Sequence, residues 1–151
     1  MDEYQLTKFS ERKAFFFWSQ EKIRYQDLDP NGHVSNIAYL VYAEGARLAL
    51  RRSVTDRTLH ADADADADAG VWVIASSAIK FLKPSLFPGV IEIGVTLIHA
   101  GRTSFSLGYG MFQKEDCVAV ACSRSVQVDS QTKMPVPLSE NFLQAMQLIA
   151  K

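Results

Sequence analysis

The chain has 151 residues, which fits one domain, and its 48% of hydrophobic and 22% of charged residues are typical of a globular protein with a sizeable core. Lys and Arg number 16 and Asp and Glu number 17, and this balance, a formal charge of -1, argues against binding to nucleic-acid phosphates. No apolar run reaches the roughly 20 residues of a membrane span, so we expect no membrane partner. The polar, acidic start does not resemble a signal peptide, which predicts a cytoplasmic protein.

Two features of the sequence bear on metals and cofactors. Cys117 and Cys122 lack a CxxC or Cys/His spacing, so neither a disulfide framework nor a zinc site is expected. Residues 61–70 belong to the low-complexity stretch HADADADADAG, whose aspartates at every second position suggest calcium. An EF-hand loop, however, would need glycine where Ala69 stands and glutamate where Ala75 stands. The sequence therefore predicts an acidic surface loop, no bound metal and no tightly held cofactor.

The first half of the chain is predicted to contain one strand and one long helix. An aromatic run at residues 15–18 is expected in an extended or short helical lead-in that covers the edge of the core. Apolar and polar residues alternate over residues 21–27, a period of two that indicates a strand. After a turn-rich stretch, a helix is predicted over residues 36–53. Ser35 or Asn36 can cap its first backbone N–H groups.

Apolar residues lie on two arcs of this predicted helix. One charge-free arc contains Tyr39, Tyr42, Ala43, Ala46, Ala49 and Leu50. The opposite arc contains Ile37, Leu40, Val41 and Leu48, interrupted by charged residues. Apolar residues on both sides predict a helix that is covered on much of its circumference, with the alanine-rich arc close to a sheet.

The second half of the chain turns to β-structure. Four segments rich in Val, Ile, Phe and small residues are predicted strands, at residues 71–81, 90–98, 103–112 and 118–128. Short turns between the later segments favour antiparallel neighbours, because a parallel crossover needs about a dozen residues or more. A short amphipathic helix is predicted over residues 140–150. This order of elements gives a single α+β domain with the long helix packed against an antiparallel sheet.

Candidate functional residues are most concentrated in the stretch DLDPNGHVSN, residues 27–36. A strand end there leads through a turn to a helix N-terminus, which offers free backbone N–H groups and a positive dipole end to an oxygen that gains negative charge. Asp29 is a nearby candidate for a nucleophile or for a general base on water. One carboxylate and one oxyanion site are the minimum for acyl transfer to water.

A family signature surrounds this stretch. Hotdog-fold acyl-CoA thioesterases of the 4-hydroxybenzoyl-CoA thioesterase-like family typically read (V/I)R(F/Y)xDxDxxGHVNNxxYLxYxExAR, which the chain resembles with IRYQDLDPNGHVSNIAYLVYAEGAR. The similarity continues in IKFLKPSLFPGVIEIGV, in GRTSFSLGYGMF and in SVQVDSQTKMPVPLSE, and covers about residues 20–140. The resemblance implies a hotdog fold, in which an antiparallel β-sheet wraps a long central helix. It also implies an acyl-CoA substrate and a homodimer or homotetramer with active sites between two subunits.

The same resemblance implies roles for individual residues. Asp29 falls on the second aspartate of the DxD pattern, the family's catalytic carboxylate. The backbone N–H that polarises the thioester carbonyl maps to about Ser35 or Asn36, where the family has two asparagines. Basic residues before an SF dipeptide contact CoA phosphates in the family, and in HAGRTSF only Arg102 carries over. His33 and Asn36 are then expected to order the site around Asp29.

Each of these residues also has a purely structural interpretation. Asp29 precedes a proline, which is common in turns. Asp27 is expected to be structural and to hold the turn through backbone hydrogen bonds. His33 either positions substrate or water or caps the loop. Asn36 is a natural helix N-cap, a role that is compatible with shaping an oxyanion site.

The remaining candidates for substrate contact have similar alternatives. Glu44 lies two turns into the helix, where other hotdog thioesterases carry a catalytic acid, and its structural alternative is an ion pair with Arg47. Arg102 either contacts a CoA phosphate or is solvated beside a glycine turn. His99 and Ser104 are candidates for the pocket lining.

Three functions remain open from the sequence. The first is an acyl-CoA thioesterase that uses Asp29 as nucleophile or general base. The second is a non-catalytic acyl-CoA-binding hotdog module, which the sparse basic residues around Arg102 support. The third is a structural or interaction domain in which the turn only caps the helix. Phe87, Pro88 and Gly89 resemble part of a hotdog dehydratase motif, but Leu86 stands where those enzymes need histidine.

Overall fold

The structure, a computed structural model, describes residues 6–59 and 70–148. Within this part of the chain we name the strands and α-helices in order: β1 Phe17–Lys22, α1 Asn36–Leu59, β2 Val71–Phe81, β3 Val90–Ala100, β4 Ser104–Gln113, β5 Asp116–Val128 and α2 Glu140–Gln147. Short 3-10 helices at Thr7–Ser10 and Arg12–Ala14 precede β1, and another at Tyr25–Asp27 follows it.

The five strands form one sheet in the order β1-β3-β4-β5-β2. Every neighbouring pair is antiparallel, as the short turns between strands predicted. α1 packs on the concave face of this sheet, and its buried side chains share one core with those of β3, β4 and β5. The predicted α+β architecture, a long helix against an antiparallel sheet, is confirmed.

The strands predicted in the second half of the chain are confirmed with small shifts at their ends. The first strand, in contrast, was predicted too late, because β1 covers Phe17–Lys22 rather than residues 21–27. The backbone N–H of Arg24 donates to the carboxylate of Asp27 over 2.8 Å, which bends the chain into the 3-10 helix Tyr25–Asp27. A local side-chain hydrogen bond therefore outweighs the alternating pattern.

One face of α1 forms the centre of the core. The predicted charge-free arc is buried at Tyr39, Tyr42, Ala43, Ala46 and Leu50. The alanines let the helix backbone approach the sheet closely, because a methyl group is the smallest side chain that still fills the gap.

The opposite arc of α1 is open to solvent in the single chain. Its apolar side chains keep large exposed fractions, 67% at Ile37, 45% at Leu40, 51% at Val41 and 47% at Leu48. The prediction of a helix covered on much of its circumference is therefore wrong for one chain alone. Apolar residues this exposed in a row mark a surface that fits a partner.

The convex face of the sheet is covered by residues 6–16, which we call the strap. The side chains of Phe9 and Phe15 are buried against strand glycines. A Cβ atom at Gly108 would lie 2.4 Å from the Phe9 ring, and one at Gly94 would lie 2.4 Å from the Phe15 ring. Glycine at these positions lets the rings lie directly on the strand backbone. The lead-in thus covers the middle strands β3 and β4 rather than the edge of the core.

Arg12 fastens the strap to the sheet. Its guanidinium lies over the ring of Phe112, with 4.7 Å to the ring centroid, and over the ring of Trp18 at 5.3 Å. The same group pairs with the carboxylate of Glu92 over 2.7 Å. Stacking and ion pairing act together here, a combination that suits the planar guanidinium.

α2 closes one end of the core. The side chain of Ser139 accepts a hydrogen bond from the backbone N–H of Phe142 over 3.2 Å and so caps the helix. The ring of Phe142 packs against those of Trp72 and Phe105. Gln147 is the last residue of α2, and part of the helix predicted over 140–150 lies outside the described residues.

The predicted acidic loop falls on residues 60–69, which lie outside the described part of the chain, so the loop and its calcium alternative stay predictions. Among the described residues, no group of three or more His, Cys, Asp or Glu side chains could hold a metal ion. In the same ranges, no helix is long and apolar enough to span a membrane. Cys117 and Cys122 are both free thiols.

Candidate active site

A frame of hydrogen bonds around Asp27 holds the turn that follows β1. Its Oδ2 accepts from the backbone N–H of Arg24 over 2.8 Å and from the hydroxyl of Tyr42 over 2.7 Å. Burial raises the pKa of Tyr42 and the hydrogen bond to Asp27 raises it further, so the hydroxyl remains a donor. The backbone N–H of Ser35 donates to the carbonyl oxygen of Asp27 over 2.8 Å. The structural role predicted for Asp27 is confirmed.

Asp29 closes the next turn with its own carboxylate. Oδ1 accepts hydrogen bonds from the backbone N–H groups of Asn31 over 2.8 Å and of His33 over 3.1 Å. The backbone N–H of Asp29 in turn donates to the carbonyl oxygen of His33 over 2.8 Å. Gly32 lies inside this turn with φ of 76°, a left-handed conformation that glycine adopts without a steric penalty. The carboxylate is therefore fixed in position before any ligand binds.

Two opposing effects set the acidity of Asp29. Desolvation raises its pKa, whereas the hydrogen bonds from His33 and Asn31 and the charge of His33 lower it. The lowering effects prevail, so the pKa of Asp29 lies below its ordinary value. The side chain is consequently a carboxylate, an acceptor of protons and hydrogen bonds, at neutral pH.

The start of α1 presents one unused backbone donor beside this turn. The side chain of Ser35 accepts from the backbone N–H of Ile37 over 3.2 Å, so Ser35, rather than Asn36, caps the helix. Because the Ser35 N–H is already bonded to Asp27, it is not free for a ligand. Within the described residues the backbone N–H of Asn36, the first helical residue, has no hydrogen-bond acceptor.

A cavity of about 490 Å³ lies between this helix start and the end of β2. It brings together three of the residues singled out from the sequence, Asp29, His33 and Asn36. The other lining residues are Val34, Tyr39, Phe81, Leu82, Lys83 and Pro84. One lining residue thus has a fixed carboxylate and another has an unused backbone N–H, groups of the kind that can deliver a base to a carbonyl and polarise it.

The far wall of this cavity was not predicted as part of a site. The hydroxyl of Tyr39 donates to the buried hydroxyl of Ser85 over 2.7 Å, and the Tyr39 ring packs edge-on against Phe81. The ammonium group of Lys83 is held by the carboxylate of Asp116. Phe81 ends β2 and Lys83 follows it, far from Asp29 in sequence, and the strand end before a proline was their only signal in the sequence.

Glu44 lies outside this cavity. It lines a second space further along α1, and its carboxylate contacts the guanidinium of Arg47 over 3.4 Å. The ion pair considered as its structural alternative is therefore present.

Arg102 and Ser104 also lie outside the cavity of the single chain. Arg102 lies in the turn between β3 and β4 and Ser104 begins β4, whereas the cavity lies near the other end of β3. Arg102 is exposed, and the Ser104 hydroxyl accepts from Arg124 over 3.2 Å. His99, at the end of β3, is equally remote from Asp29. Contacts between these residues and a substrate stay predictions.

Several solved structures share this fold. The PA5185 protein of Pseudomonas aeruginosa is 20% identical, covers 93% of this chain and 95% of its own, and superposes with a TM-score of 0.79. A thioesterase of Thermus thermophilus, complexed with coenzyme A and Zn, is 23% identical over 89% and 94% of the two chains, with a TM-score of 0.71. YbaW, a probable thioesterase of Escherichia coli, is 23% identical, covers 90% of this chain and 100% of its own, and also superposes with a TM-score of 0.71. The predicted hotdog fold is confirmed.

At the level of sequence, no curated protein matches the chain. The family model of the thioesterase-like superfamily, in contrast, matches residues 23–146. That range includes the turn with Asp29, the whole of α1 and strands β2 to β5. The match extends over most of the chain and contains the carboxylate and the helix start that line the cavity, so the protein belongs to the thioesterase-like superfamily.

Proposed function

We propose that the protein hydrolyses an acyl-CoA thioester and releases a free acid and CoA. One observation carries the proposal, namely that Asp29, whose carboxylate is fixed, and Asn36, whose backbone N–H is unused, line one cavity. The structural relative from Thermus thermophilus binds coenzyme A, which supports the same carrier here. The proposed reaction requires no metal and no tightly held cofactor.

The geometry assigns a role to each group. The thioester oxygen accepts a hydrogen bond from the Asn36 N–H, which stabilises the negative charge that develops on it. Both backbone amides of the turn use Oδ1 of Asp29, so Oδ2 is the oxygen that we assign to the chemistry. His33 and the Asn36 side chain then order the substrate or the water at the rim of the cavity.

Two routes to the products use the same residues. As a general base, Asp29 takes a proton from water while the water oxygen bonds to the carbonyl carbon; the C–S bond then breaks and the thiolate takes up a proton. As a nucleophile, Asp29 bonds to that carbon itself and expels the thiolate, and water hydrolyses the resulting anhydride. Both routes need Asp29 ionised.

A non-catalytic acyl-CoA-binding module is the second candidate. The observation that favours it is the scarcity of free cations among the described residues at the cavity, since Lys83 is engaged by Asp116 and Arg102 lies elsewhere. Such a module would bind acyl-CoA without releasing thiol. It therefore differs from the hydrolase in turnover rather than in affinity.

Thiol release from a panel of short-chain, long-chain and aromatic acyl-CoAs separates the two candidates. We expect catalytic turnover of at least one member, detected with a thiol-reactive dye. Saturable acyl-CoA binding with no thiol released from any member would overturn the hydrolase and favour the binding module. Absence of any CoA binding would exclude both and leave a structural domain.

The pH dependence of kcat/KM is a separate prediction. Because the pKa of Asp29 is lowered, its carboxylate should persist below pH 3.8, the ordinary value for aspartate. We therefore expect the acid limb, where activity falls as Asp29 takes up a proton, to lie below that value. Steady-state rates across the acid range test this, with circular dichroism to confirm folding at each pH. An acid limb near neutrality would assign the limiting ionisation to a group other than Asp29.

We also propose that a second copy of the chain covers the open side of α1. The exposed apolar arc of α1 lies next to β2, an edge strand with exposed Val73 and Ile74. Long apolar edge strands are stabilised by pairing with another strand. Equilibrium sedimentation is expected to give twice the chain mass, or four times in a tetramer, and a monomer at micromolar concentration would contradict it. The free thiols Cys117 and Cys122 suit a reducing compartment, so we place this assembly in the cytoplasm.

A further inference from the structure

A second cavity of about 320 Å³ lies further along the groove between α1 and β2. Side chains from the helix and from three strands meet there, among them Leu40, Glu44, Arg47, Ser77, Tyr109 and Ser123. The proposed reaction gives this space no role.

The two cavities follow one another along the same two elements. The first ends at Tyr39 on α1 and at Phe81 on β2, and the second begins at Leu40 and Ala78. Eleven residues separate Asn36 from Arg47 along α1, which is about 16 Å at a rise of about 1.5 Å per residue. Side chains on a helix lean towards its N-terminus, so the Arg47 guanidinium lies somewhat nearer to the first cavity. Once the backward reach of the Arg47 side chain is subtracted, the remaining distance is comparable to the length of an extended decanoyl chain.

The lining of the second cavity is mostly apolar, but it contains a cluster of hydrogen-bonded polar side chains. The side chain of Arg47 is only 12% exposed, and its guanidinium donates to Glu44 over 3.4 Å. The hydroxyls of Tyr109 and Ser123 share a hydrogen bond of 2.8 Å. Burial raises the pKa of Tyr109, whereas its bond to Ser123 and the charge of Arg47 act in the opposite direction. A guanidinium has five N–H donors, so the long contact with Glu44 leaves donors for a ligand.

We propose that this second cavity binds a hydroxyl group at the far end of an acyl chain whose thioester lies at Asp29, an inference that rests on the proposed function. A hydroxyl both donates and accepts, so Arg47 can donate to it while Glu44 accepts from it. A carboxylate there would be attracted by Arg47 but repelled by Glu44. A methyl end would form no hydrogen bond with Arg47 or Glu44 and would gain nothing from them.

The test compares kcat/KM for two acyl-CoAs that differ only in a terminal hydroxyl, measured with the same protein. For the wild type we expect kcat/KM for ω-hydroxydecanoyl-CoA to exceed that for decanoyl-CoA by about tenfold or more, the value of one buried hydrogen bond to a charged group. In Arg47→Met, which keeps an unbranched apolar stem, this ratio should fall to about one. ω-Hydroxyhexanoyl-CoA and hexanoyl-CoA are the length control, because the shorter chain does not reach Arg47, and their ratio should be about one in both proteins.

A ratio of about one in the wild type, a ratio that persists in Arg47→Met, or a preference for ω-carboxydecanoyl-CoA would overturn the inference. Because both rates come from the same sample, partial loss of folded protein cancels in the ratio. Tyr109→Phe keeps the ring and should lower the ratio as well. Calorimetric binding of ω-hydroxydecanoic acid and of decanoic acid provides a readout without turnover. If no thioester is hydrolysed but the hydroxy acid binds more tightly through Arg47, the hydrolase fails and this inference stands.

Discussion

Replacement of Asp29 by asparagine is expected to lower kcat by about a thousandfold or more for every acyl-CoA that the protein hydrolyses. The amide oxygen can still accept from the backbone N–H groups of Asn31 and His33, so the turn should persist. A neutral amide, however, neither takes a proton from water nor attacks a carbonyl carbon. Steady-state thiol release measures the loss, and an unchanged KM would locate it in the chemical step.

The chain offers a matched control in Asp129. Its Oδ1 also accepts two backbone hydrogen bonds, from Gln131 over 3.0 Å and from Thr132 over 2.6 Å, in a turn that does not line the cavity. Asp129→Asn should therefore turn over substrate at the wild-type rate. Wild-type rates in Asp29→Asn would rule out Asp29 as base or nucleophile, and comparable losses in both variants would indicate damaged folding instead.

Replacement of Asn36 by proline should lower kcat by about a hundred- to a thousandfold, the usual loss when one oxyanion donor is removed. Asn36 is the first residue of α1, and proline is well tolerated at that position because the N–H there has no partner within the helix. The substitution thus deletes the N–H donor from the proposed site while the helix can still form. Thiol release measures the loss of kcat, and the thermal melting curve shows whether the variant still folds.

Asn36→Ala separates the backbone from the side chain. It keeps the N–H and removes the side-chain amide, so its loss of kcat should be about tenfold at most. Equal losses in Asn36→Ala and Asn36→Pro would assign the effect to the side chain, and full activity in Asn36→Pro would show that another donor holds the carbonyl oxygen.

The parts of the molecule that follow from local sequence were predictable. The strand over residues 71–81 and the start of the long helix each depend on patterns within a few residues, and the structure has both. Asp29 and Asn36 are only seven residues apart, so a single turn necessarily brings them near each other. The family signature added the assignment of roles, which spacing alone could not supply.

Features that depend on distant contacts were not predictable in the same way. Tyr39 was expected only in the core, and its place at the cavity follows from the position of Phe81 at the end of β2. Arg102 is remote from Asp29 within one chain because β3 runs the full length of the sheet between them. The pairing of distant strands determines where Tyr39 and Arg102 lie, and that pairing cannot be read directly from a single sequence.

The strap has a consequence for how the molecule can assemble. Phe9 and Phe15 occupy the hollows over Gly108 and Gly94, so the outer surface of β3 and β4 is already buried there. Stacking two sheets back to back would require both rings to leave and a new surface to replace them. Contacts with further copies of the chain are therefore expected at surfaces that the strap leaves open. Residues 6–16 provide, within one chain, the cover that a neighbouring subunit would otherwise supply.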